Sequence, residues 1–142
     1  MKKEVSITIK SVINSAEGND EIELFTKGSY YIKNGSFYIS YLESQTTGFD
    51  GYRTTLKVEG EDKVTMLRSG DSKSELVIEK DKRHLCHYGL PEGDLFLGVS
   101  ADKIESTLDE SGGELRFSYS LDINSAILNT MDVHINVKNT SC

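Results

Sequence analysis

The chain has no tryptophan, one proline and two cysteines among its 142 residues, and each scarcity removes a class of object. Two thiols, Cys86 and Cys142, cannot make the bridge framework of a small secreted domain. A chain this long buries about 68 to 70% of its surface and needs no such staples. With Pro91 alone and no low-complexity tract or internal repeat, neither a disordered tail nor a repeat array is expected. No apolar run approaches the roughly 18 to 20 residues of a membrane span. No apolar segment separates Met1-Lys2-Lys3 from Val5, so no signal peptide is read, and a soluble, cytoplasmic protein that does not engage membranes is expected. In that compartment the glycosylation-like triplets at Asn34 and Asn139 have no consequence. Positive charge is also short. A net charge of −7 repels phosphate backbones, so no nucleic-acid partner is expected. The one basic cluster, Lys80, Lys82, Arg83 and His84, is broken by Asp81 and reads as a hairpin tip.

Motifs that carry chemistry are equally sparse. Ser69-Gly70-Asp71-Ser72 lacks the strand-to-helix elbow of a catalytic serine and reads as a turn. No glycine-rich loop opens a helix to cradle phosphate, so no nucleotide cofactor is implied. His84, Cys86 and His87 resemble a metal cluster, but on a strand residues 84 and 86 share a face while 87 points away, leaving at most two ligands where structural zinc wants four. The acidic groups, Glu17 with Asp20, Glu21 and Glu23, and Asp109 with Glu110 and Glu114, lack the oxygen spacing of a calcium loop. No carboxylate pair is singled out for glycoside hydrolysis. Enzyme is the minority reading; no cofactor, no metal and no catalytic residue is expected.

What the chain does have is a period of two. Leu115, Phe117, Tyr119, Leu121 and Ile123 alternate with polar residues over 114–124, and Met131, Val133, Ile135 and Val137 do so over 128–138. Two half-buried strands in sequence should pair antiparallel. Near the N-terminus Val5, Ile7 and Ile9 alternate, after which Val12 falls on the other parity, so a bulge near Lys10 and Ser11 is predicted. Residues 17–21 read as a loop, and a strand from Ile22 should bend at Gly28; Gly98 is a second candidate bend. Asn34-Gly35 is the preferred pair for a two-residue type I′ turn. It sets Lys33 against Ser36, Ile32 against Phe37, Tyr31 against Tyr38 and Tyr30 against Ile39. After a polar loop over 44–50, Tyr52, Thr54, Leu56 and Val58 share a face, as do Val64, Met66 and Arg68. Gly89-Leu90-Pro91-Glu92-Gly93 is a rigid turn, Leu95, Leu97 and Val99 mark another strand, and 102–110 reads as strand rather than short helix. About eight to ten short strands with short turns predict an all-β, antiparallel, up-and-down barrel, one domain over 4–138 with short tails at 1–3 and 139–142. Closure is favoured over a sandwich because it removes exposed edges.

Tyr41-Leu42-Glu43, Thr54-Thr55-Leu56-Lys57, Val64-Thr65-Met66-Leu67-Arg68-Ser69-Gly70, Tyr88-Gly89-Leu90-Pro91-Glu92-Gly93-Asp94-Leu95 and Leu115-Arg116-Phe117-Ser118-Tyr119-Ser120-Leu121 resemble, in order and spacing, the YwiB-like family of uncharacterised bacterial proteins. The resemblance runs from about Glu4 to Val137 and implies a calycin-like, lipocalin-like barrel; where the family tends to carry threonine before the proline, this chain has Leu90. It implies no activity.

Two features exceed what a plain barrel requires. Arg68 and Glu43 both stand on inward parity, either as an end-of-barrel salt bridge or as a ligand anchor. In the second case Arg68, Glu43, Tyr41, Tyr52 and Tyr119 would line a site for a small, mostly apolar molecule with a polar or anionic end, Arg68 being the anchor. Phe96 faces outward, and with the Tyr31 and Tyr38 pair it would form a patch for a homo-oligomer or a protein partner, if the fold brings the three together.

Overall fold

The computed structural model describes residues 3–15, 17–43, 51–70, 73–90, 93–123 and 126–139; the side chains of 87–90, 93–95 and 128 lie outside that description. The polar loop at 44–50, the Pro91 turn and the turn at 71–72 therefore fall outside it too. Ten strands follow one another: β1 Lys3–Ser15, β2 Gly18–Lys33, β3 Ser36–Leu42, β4 Arg53–Glu59, β5 Lys63–Ser69, β6 Lys73–Glu79, β7 Arg83–Leu90, β8 Gly93–Ser106, β9 Gly112–Ile123 and β10 Ala126–Asn139. Each pairs antiparallel with its sequence neighbour, and β1 also pairs with β10, so the sheet closes on itself. This is the all-β, up-and-down barrel that period two predicts.

The local signals act as sequence chemistry requires. Asn34 and Gly35 take φ of 52° and 81°, the mirror-turn conformation, and the hairpin they close has the predicted register. Tyr31 and Tyr38 consequently stack outside the barrel with ring centroids 4.7 Å apart. In the C-terminal pair, Leu115 faces Ile135 and Phe117 faces Val133, all four buried. Each such side chain contributes about 1.5 to 3 kcal/mol when fully removed from water.

Three expectations are corrected. β1 carries no bulge at Lys10 and Ser11: it pairs with β10 without a break from Val5 to Ser15, Val12 points outward and Ile13 continues the inner face. The register shifts lie instead between Ala101 and Lys103 and between Ile127 and Asn129. The acidic stretch from Gly18 to Glu21 is strand, not loop, because β1 runs past the core and needs a partner; its carboxylates stay in water while the hairpin turns at Ser15 and Gly18. The strand reading of 102–110 holds to Ser106, after which Leu108 folds into the core and Asp109 keeps one bridge to Gly112. This connection is tied across its end of the barrel, the Tyr30 hydroxyl donating to the Asp109 carbonyl at 2.7 Å and Lys3 Nζ to that of Glu110 at 2.8 Å.

The glycines at the two candidate bends, Gly28 and Gly98, are both required by close packing. A Cβ on Gly28 would collide with the Ser40 carbonyl oxygen and stand 2.7 Å from Ile7 Cδ1. Gly98 lies beneath the guanidinium of Arg83, which reaches over it to Asp122 through two hydrogen bonds of 3.0 and 2.6 Å. Between β6 and β7, Ser74 pairs with Tyr88, and further along the same seam the Val77 amide donates to Cys86 Sγ at 3.3 Å.

Candidate functional site

In an up-and-down barrel the C-terminal ends of β1, β3, β5, β7 and β9 meet at one end. There the interior does not fill. A cavity of about 250 Å³ lies between the inner faces of eight strands, walled mainly by Ile9, Leu24, Leu56, Leu76, Leu121 and Val133. Inward positions in this half include small or polar residues, Ser11 and Asn129 among them, which leave the large side chains of opposite walls unmet.

One wall carries a row of polar groups dictated by register. Tyr41 of β3 stands opposite Thr54 of β4, which stands opposite Arg68 of β5. Glu43 is the next inward position beyond Tyr41, and its amide extends the β3–β4 ladder by donating to the Tyr52 carbonyl at 2.7 Å. The Glu43 side chain is 2% exposed and that of Arg68 15%, with Arg68 Nη2 at 3.4 Å from Glu43 Oε2. Thr54, fully buried, donates its hydroxyl to the same Oε2 and accepts from Arg68 Nε at 3.3 Å. Arg68 Nη2 also lies 3.8 Å from Met66 Sδ. Burial pushes the Tyr41 hydroxyl well above the ordinary tyrosine value, the Glu43 charge adds to this, and the Arg68 charge opposes it. An acid, a base and two hydroxyls thus form one buried network whose formal charges cancel.

Of the residues picked from sequence, Tyr41, Glu43 and Arg68 come together here, and Tyr119 lines the cavity from β9, diametrically opposite β4 in the ring. Tyr52 is not on the cavity wall. It precedes β4, where strand alternation no longer governs direction, and its ring lies over Gly70, 2.7 Å from where a Cβ would stand. The sequence pattern places Thr54 on one face with Tyr52, Leu56 and Val58 and does not show its bridging role; the signal is that face on a strand that follows Tyr41 and precedes Arg68 in a chain of short turns. Phe96 does not join Tyr31 and Tyr38, because β8 and β3 lie on opposite sides of the ring. In the His84, Cys86 and His87 group, His84 Nε2 meets Glu79 at 2.8 Å, Cys86 is buried with its thiol pushed up by desolvation, and the His87 side chain is outside the description. Among the described residues no helix is long and apolar enough to cross a membrane.

Comparison with known proteins agrees with this fold. The family described as a domain of unknown function (DUF1934) matches residues 7–135. The "Uncharacterized beta-barrel protein YwiB" of Bacillus subtilis (strain 168) is 35% identical over 126 residues, 87% of this chain and 86% of that protein. The crystal structure of the ywiB protein from Bacillus subtilis matches with a TM-score of 0.78 at 30% identity, covering 95% of this chain and 92% of the other.

Proposed function

The chain belongs to the family described as a domain of unknown function (DUF1934), and on that premise, which brings a barrel and no assigned chemistry, we propose that it is a non-enzymatic barrel holding one small, mostly apolar molecule with a polar end. The observation that carries this is the apolar cavity beside a buried polar network. An apolar void costs stability in proportion to its volume, about 24 cal/mol per Å³, and a ligand that fills it returns the lost contacts. At about 250 Å³ the space is just below the usual range of roughly 300 to 1,000 Å³ for ligand pockets, so the occupant is small. We place it in the cytoplasm, where its two cysteines need no bridge, and among calycin-like barrels, as the family resemblance implies. Native mass spectrometry of protein taken from its own cells, with displacement of an apolar fluorescent dye, tests the reading. Leu24→Phe and Met131→Phe, which fill the void, should abolish dye binding and leave the circular dichroism spectrum unchanged; unchanged dye affinity would remove the cavity from consideration.

A second reading, self-association through the outer wall, has one observation behind it. Leu85 and Phe96 are 68% and 58% exposed on the adjoining outer faces of β7 and β8. Light scattering over a concentration series decides it, a strict monomer ending the idea.

A further inference from the structure

Resting on the cavity reading above, we propose that the site selects an uncharged hydrogen-bonding head, such as an alcohol, and discriminates against both carboxylates and amines. Glu43 and Arg68 both line the cavity, 3.4 Å apart, with side chains almost withdrawn from water. A carboxylate drawn to the guanidinium stands beside the Glu43 carboxylate, and an ammonium drawn to Glu43 stands beside Arg68. Attraction to one is opposed by repulsion from the other, while the ligand still gives up the hydration of its own charge. A neutral hydroxyl avoids both penalties. It can donate to Glu43, or accept from the Tyr41 hydroxyl or an Arg68 N–H, all three of which line the cavity. Arg68, an anion anchor by its residue type, is made part of a neutral surface by a residue 25 positions away.

The test compares octan-1-ol, octanoate and octylamine, which share a tail and differ in the head, by calorimetry on the whole chain at pH 7. Any apolar cavity prefers the alcohol, so the decisive comparison is with Glu43→Gln, which removes the negative charge beside Arg68. The variant should raise the affinity for octanoate relative to octan-1-ol at least ten-fold and should weaken octylamine. Octanoate binding the wild type as well as octan-1-ol, or gaining nothing in Glu43→Gln, overturns the proposal and leaves the cavity reading intact. Failure of all three to bind the wild type overturns both. Should Glu43→Gln not fold, Arg68→Gln takes its place: with the positive charge removed beside Glu43, octylamine should bind at least ten-fold tighter relative to octan-1-ol than in the wild type, and no gain overturns the proposal.

Discussion

Replacing Arg68 by methionine removes a charge and keeps most of the volume, so its main effect falls on Glu43. That carboxylate is 2% exposed, and in the variant it keeps the Thr54 hydroxyl but loses the guanidinium at 3.4 Å. Breaking a buried pair from one side costs about 3 to 5 kcal/mol, because the remaining ion is neither hydrated nor paired. Against a total stability of about 5 to 15 kcal/mol this is a large share, and it corresponds to a fall in Tm on the order of 10 °C. Urea unfolding of Arg68→Met at pH 7 should show a lower midpoint with an unchanged slope. Arg68→Met combined with Glu43→Gln should recover much of the loss, since neither partner is then charged. A loss below about 1 kcal/mol for Arg68→Met, the value of an exposed pair, would refute the claim that the network is buried and coupled.

Gly28→Ala sets a methyl group against the Ser40 carbonyl and 2.7 Å from Ile7 Cδ1; since a backbone oxygen cannot move aside as a side chain can, it should cost about 1 to 3 kcal/mol in urea unfolding, and a change within about 0.5 kcal/mol would show that the β2–β3 approach is slack. Tyr30 and Tyr41 both have hydroxyls pushed up by burial, so the unfolded chain loses these protons first: their contribution is whole below about pH 10 and is lost as the pH rises further, and a urea midpoint that stays flat from pH 8 to 11.5 would contradict it. Cys86 is buried with a raised thiol pKa, so in a Cys142→Ser background an aromatic disulfide reagent should label it only on unfolding, and stoichiometric labelling of native protein within seconds would refute its burial.

Strand identity and facing were settled by local chemistry that any reader of the chain can follow. Asn34-Gly35 fixes a turn, the turn fixes the register, and the register stacks Tyr31 on Tyr38. Alternation in 114–138 fixes the buried face of β9 and β10, and parity alone puts Arg68, Glu43, Tyr41 and Tyr119 inside. Period two says which way a side chain points but not what it meets, and it fails where strands end. That is why Tyr52, one residue before β4, is off the cavity wall, and why the acidic start of β2, which has no alternation of its own, is strand only because β1 needs a partner there. Closure was expected from the number of strands and their short turns, but the residues that close the ring came from tertiary structure: Val5 pairs with Asn139, and ring position separates Phe96 from the tyrosine pair. So did the chemistry of the site. The volume left at one end depends on how side chains from eight strands meet. The charge of Arg68 is balanced only because three neighbouring strands bring Glu43 and Thr54 within a few ångströms of it, a distance that no alternation pattern encodes.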